Sequence, residues 1–104
     1  MSHRAGRLAA ALMLALGAAL AHAQDANLGR NLAATCTGCH GSNGHAHGGM
    51  RPLAGISAER LVALLAAFRS GAPDGTVMQQ LAKGYSDEPL RLIAAWFAAQ
   101  PAAR

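Results

Sequence analysis

Cys36-Thr37-Gly38-Cys39-His40 is the stretch that decides this chain. Cys-x-x-Cys-His is the attachment pattern of haem c. The spacing has a chemical reason. Both thiols must reach the two vinyl groups on one edge of a porphyrin, and two intervening residues let the chain bridge them. The histidine follows at once, so its imidazole can turn under the ring and bind the iron. Covalent attachment also holds the cofactor in a domain too small to enclose it by packing alone.

Three other readings of the two cysteines compete with this one. A structural disulfide suits an exported chain, but a two-residue bridge closes a tiny loop and removes little chain entropy. A thioredoxin-like redox pair needs a βαβ context, and no strand pattern is present. A zinc site would draw on Cys36, Cys39 and two of His40, His45 and His47. Structural zinc sites place the histidine pair a dozen or more residues beyond the cysteine pair, which is not the spacing here.

Upstream of the motif, Arg4 and Arg7 precede an apolar run from Leu8 to Leu20, and Ala21-His22-Ala23 follows. This is the layout of a secretory signal peptide, with cleavage expected after Ala23 and delivery through a Sec-type route to the periplasm. The 14 residues from Leu8 to Ala21 fall short of the ~20 needed to span a bilayer, so no membrane anchor is expected after cleavage. The two arginines are not adjacent, which gives no support to a twin-arginine signal. Residues 24–104 would then be one monohaem domain of 81 residues. The leader carries two Arg and no acid, so the formal charge of +4 becomes +2. A charge this small lacks the basic stripe of a nucleic-acid binder and allows at most a modest preference for acidic partners.

The rest of the chain reads as all-α. Val and Ile total four in residues 24–104, and no alternating run occurs. Leu28, Leu32 and Ala33 suggest a short helix over 25–35, with Asp25 as its cap. Gly41 to Gly55 reads as loop. Ser57 can cap a helix over 58–69 whose Leu61, Leu64, Leu65 and Phe68 repeat at helical spacing. Ala72-Pro73-Asp74-Gly75 is a turn. A short amphipathic piece spans 76–83. Ser86 can cap a last helix with Asp87 and Glu88 in its first turn, Pro89 tolerated there, and Leu90, Ile93, Ala94 and Phe97 on one stripe, ended by Pro101. Phe68, Tyr85, Trp96 and Phe97 are the only aromatics, and alanine supplies much of the apolar count. So thin a core in so small a domain points to a large apolar cofactor inside it.

The second axial ligand is open among Met50, Met78, His45 and His47. Three of these lie within ten residues of His40, and the chain must pass around the haem edge before it can present a ligand to the far face. That favours Met78, 38 residues beyond His40. The competing assignments are a core methionine at 78 and a solvated Gly-rich loop around the two histidines. No carboxylate pair, nucleophile–base arrangement or phosphate loop is visible, so the chain reads as an electron-transfer protein rather than an enzyme.

These residues resemble a known family. Cys-x-x-Cys-His after a first helix, Pro52-Leu53-Ala54-Gly55 after a loop, a distal methionine and an aromatic-bearing last helix are similar to a class I cytochrome c. The resemblance covers nearly all of residues 25–99. It implies three to four helices wrapped around one haem. It also implies that the Pro52 carbonyl accepts from His40, that Met78 is the distal ligand, and that Gly29 sits where the first helix crosses the last. Trp96 or Phe97 would be the aromatic packed there.

A narrower likeness is carried by Met50-Arg51-Pro52-Leu53-Ala54-Gly55, Thr76-Val77-Met78, Ala82 to Glu88 and Ala94 to Ala98. These segments resemble the cytochrome subunits of flavocytochrome c sulfide dehydrogenases. That likeness implies electron acceptance from an FAD-containing flavoprotein subunit; a free soluble carrier serving a terminal oxidase or other reductase is the alternative, and an open-site haem enzyme or sensor a further one. His45-Ala46-His47-Gly48-Gly49 departs from the family pattern.

Overall fold

A computed structural model describes residues 2–25, 27–71 and 76–102. The expected turn at 72–75 lies outside the described residues. The elements are α1 (Ser2–Asp25), α2 (Leu28–Ala33), a 3-10 turn (Ala34–Cys36), α3 (Thr37–His40), a second 3-10 turn (Ser42–Gly44), α4 (Ala58–Arg69), α5 (Val77–Lys83) and α6 (Asp87–Ala98). No strand occurs among the described residues, and the chain is all-α as its sequence implies.

Helix boundaries follow local chemistry, with two corrections at the caps. Ser57 caps α4 as expected, its hydroxyl accepting from the Arg60 amide at 3.3 Å. Asp25, however, is the last residue of α1, and Asn27 takes the cap position of α2 without a side-chain bond. The first turn of α2 is closed by the backbone instead, Asn31 N–H donating to the Asn27 carbonyl at 2.9 Å. Ser86 occupies the cap position of α6, but its hydroxyl makes no capping bond. Arg69 replaces it. From the last turn of α4, its guanidinium donates to the Tyr85 carbonyl at 3.3 Å and to the Asp87 carboxylate. One cation thus joins the end of α4 to the start of α6.

The core forms where α6 meets α2 and α4. Leu90, Ile93, Ala94 and Phe97 are all buried, the stripe expected from their spacing. Ile93, Ala94 and Phe97 gather with Ala33 and Leu61, and partly buried Leu32, Leu53, Ile56, Val62, Tyr85 and Trp96 pack against them. Gly29 lies at the crossing of α2 and α6. A Cβ there would stand 3.0 Å from the Leu92 carbonyl oxygen, which explains the small residue. Of the two candidate aromatics, Phe97 enters the core, while Trp96 lies beside Arg30 and Ala34 at the surface of the same junction. On α4 only Leu61 is buried. Leu64, Leu65 and Phe68 are half-buried, their apolar area covered by protein only in part.

Gly44 anchors the long loop onto this core. Its φ is +79°, a region where side chains are strained, and it packs directly under Phe97. A Cβ would fall 2.8 Å from both the Ala54 nitrogen and Phe97 Cδ1.

Two measurements check this architecture. Gly44→Ala combines a left-handed backbone with overpacking and is expected to cost about 2–4 kcal/mol in urea unfolding. Arg69, by hydrogen bond and charge, holds the Asp87 carboxyl below the usual carboxylate range. A depressed folded-state value gives stability that is present above the unfolded value of about 3.9 and lost as pH falls through the folded value. The denaturation midpoints of wild type and Asp87→Asn should therefore differ at neutral pH and converge on acidification below about pH 3.9.

Candidate haem-binding site

The motif lies on two consecutive tight turns that carry the chain from α2 to Gly41. Thr35 and Thr37 stabilise these turns by donating their hydroxyls back to the Leu32 and Ala34 carbonyls at 3.0 and 2.8 Å. The Thr35 proton being used in this way, the Tyr85 hydroxyl donates to Thr35 Oγ1 across 2.8 Å. That bond pins the start of the motif to the connection between α5 and α6, 50 residues away in the chain. It has no local signal in the sequence.

Cys36 and Cys39 stand three residues apart, which places them on one side of a helical turn. Both thiols are free. Cys36 packs against the core and Cys39 is exposed. Burial pushes the Cys36 thiol up, and the Thr35 hydroxyl beside it offsets part of that rise.

His40, the last residue of α3, is half-buried. Its Nδ1 lies 2.7 Å from the Arg51 carbonyl oxygen. A carbonyl only accepts, so Nδ1 carries the proton and Nε2 keeps its lone pair. That is the tautomer an iron ligand needs, and the carbonyl partner orients the ring and raises its basicity. The acceptor corrects the family-based expectation: it is Arg51, not Pro52. The carbonyl belongs to the peptide bond whose nitrogen lies in the Pro52 ring. Proline restricts the residue before it to extended backbone, and the constraint therefore acts on Arg51.

The four candidates for the far side of the iron are placed differently. Met78 is half-buried on α5, one turn before the buried Ala82, while Val77 and Leu81 between and beside them are exposed. Gln79 fixes the same helix by donating to the Gly71 carbonyl at 2.8 Å. Met50 is 44% exposed in the loop. His45 spends Nε2 on the Pro101 carbonyl at 2.7 Å. His47 is exposed beside an open groove of about 640 Å³ that runs past Cys39. Among the described residues, no group of three or more His, Cys, Asp or Glu side chains is gathered as for a metal ion.

The donor set suits haem c. Two free thiols and an imidazole with its outer nitrogen engaged stand in consecutive turns, next to half-buried apolar side chains. Comparison with known proteins agrees. The cytochrome c family profile matches residues 26–98. The cytochrome subunit of sulfide dehydrogenase from Chlorobaculum tepidum is 38% identical over 69 residues, 66% of this chain and 63% of that protein. The thiosulfate dehydrogenase electron acceptor of Stutzerimonas stutzeri is 41% identical over 98 residues, 89% of this chain but 45% of that protein. Cytochrome c-554(548) of Halomonas halodenitrificans is 37% identical over 82 residues, 75% of this chain and 99% of that one. The chain thus spans less than two thirds of the first two relatives and nearly all of the third. With the profile spanning the helical domain and both cysteines inside it, the chain belongs to the cytochrome c family, whose cofactor is covalently bound haem c.

Proposed function

We propose that this chain transfers single electrons through one haem attached at Cys36 and Cys39, with His40 and Met78 as axial ligands. The observation that carries this reading is the hydrogen bond from His40 Nδ1 to the Arg51 carbonyl, which leaves Nε2 for iron immediately after two free thiols. Haem, when bound, supplies a reversible one-electron iron couple. The chain's residues supply the rest. His40 is held in one tautomer and one orientation. The Met78 thioether would be the second protein ligand to the iron, which would leave no open site for a substrate and favour a higher potential than ligation by two histidines. Support for Met78 comes from its half-buried place on α5 and the exposure of Met50 and His47.

The partner reading follows the relatives. Likeness to the cytochrome subunit of sulfide dehydrogenase supports service as the electron-accepting partner of an FAD-containing flavoprotein. A free soluble carrier is the second reading, and the Halomonas cytochrome favours it, because this chain covers 99% of that protein. Co-purification of the native protein decides between them: a bound flavoprotein supports the first and a lone cytochrome the second.

The proposed location is the periplasm, after cleavage following Ala23. Leu8, Leu12, Met13, Leu14 and Leu16 of α1 are all exposed rather than packed into the domain, as suits a leader. No described helix is long and apolar enough to cross a membrane.

The exported protein should begin at Gln24 by amino-terminal sequencing. Purified holoprotein should show a c-type α-band when reduced, and Met78→Ala should bind CO rapidly in the ferrous state. Its midpoint potential should fall by on the order of 0.1 V, axial ligands spanning ~0.8 V across haem proteins. An unchanged spectrum and potential would remove Met78 from the iron.

A further inference from the structure

The loop between α3 and α4 departs from the family pattern at His45-Ala46-His47-Gly48-Gly49, and the structure gives the first of those histidines a partner. His45 Nε2 donates to the Pro101 carbonyl at 2.7 Å, across 56 residues of chain. We propose that His45 is a positioning residue: it ties this loop to the C-terminal segment and thereby holds the Arg51 carbonyl against His40. The proposal rests on the haem reading given above.

The loop's architecture carries the argument. Its neck is closed at the Gly44 carbonyl, which accepts from Leu53 N–H at 2.9 Å and Ala54 N–H at 3.3 Å. The neck is seated on α6 through Gly44 beneath Phe97 and through Gly55 N–H donating to the Phe97 carbonyl at 3.0 Å. Residues 45–52 form an excursion from that neck, and Arg51 lies within it. One backbone bond crosses the excursion, Met50 N–H to the His47 carbonyl at 3.3 Å, and His47, Gly48, Gly49 and Met50 are all exposed. So sparse a set of internal bonds leaves the excursion to be placed by its ends. The Leu53 end is held at the neck. The other end starts at His45, where the side chain reaches past the neck to Pro101, three residues beyond the end of α6.

The consequence falls on the iron ligand. The Arg51 carbonyl that accepts from His40 Nδ1 raises the electron donation of the imidazole, and outer hydrogen bonds of this kind tune a metal centre. Loosening the excursion weakens that bond, makes His40 a poorer donor and disfavours the ferric state. Losing the His45 bond is therefore expected to raise the midpoint potential, a change that mere loss of stability would not dictate.

The test uses full-length holoprotein carrying His45→Ala or His45→Gln, and a chain ended after Gln100 that lacks the acceptor. The expected result is a raised potential and a several-fold faster exchange of the His40 Nδ1 proton in His45→Ala. Gln, whose amide nitrogen can donate from a similar reach, should stay near wild type. In the shortened chain His45→Ala should have no additional effect, because the bond is already gone. Wild-type potential and proton exchange in His45→Ala, with only thermal stability lowered, would overturn the proposal; so would a full additional shift in the shortened background. Failure of the underlying reading is told apart on the wild type, where absence of a haem-dependent peroxidase stain after denaturing electrophoresis would overturn both.

Discussion

The hydrogen bond between His40 and the Arg51 carbonyl decides the chemistry of this chain. An imidazole has two nitrogens, and the one that donates determines which one is left to bind metal. With Nδ1 committed to a backbone oxygen at 2.7 Å, Nε2 is the available ligand atom. The rest of the structure keeps that arrangement in place. The paired threonines hold the motif's turns, Tyr85 ties the motif to the start of α6, and Gly44 presses the loop that carries Arg51 against Phe97. A backbone acceptor suits this role. It cannot change protonation state, and it is fixed as firmly as the loop that bears it.

The packing is consistent with a domain organised around a covalent cofactor. Four of the eight buried hydrophobic residues among those described are alanines, and Phe97 is the one large side chain fully buried. Alanine contributes little transfer free energy, so the protein's own core supplies modest stabilisation. Larger residues on α4, Leu64, Leu65 and Phe68, remain half-buried. Haem c supplies apolar area that such a chain does not have, and thioether attachment keeps it there without requiring the protein to enclose it.

Family membership and site geometry together describe an electron-transfer protein of the cytochrome c family. Its relatives include the cytochrome subunit of a sulfide dehydrogenase, a thiosulfate dehydrogenase electron acceptor and a cytochrome c-554(548).

Sequence alone determined what depends on neighbours along the chain: the thiol spacing and the histidine beside it, the stripe Leu90–Ile93–Ala94–Phe97, the Ser57 cap and the all-α class. Each follows from the period of a helix or the reach of a few bonds. Tertiary structure decided which distant group answers each donor. The acceptor for His40 is Arg51 rather than Pro52, the Ser86 hydroxyl makes no capping bond while Arg69 reaches Asp87 from α4, and Asn27 rather than Asp25 holds the cap position of α2. Tyr85 met Thr35, and His45 met Pro101, across 50 and 56 residues. Every backbone carbonyl looks alike in a sequence. Which one a side chain meets is settled only when helices cross, because a hydrogen bond depends on tenths of an ångström that residue spacing does not encode.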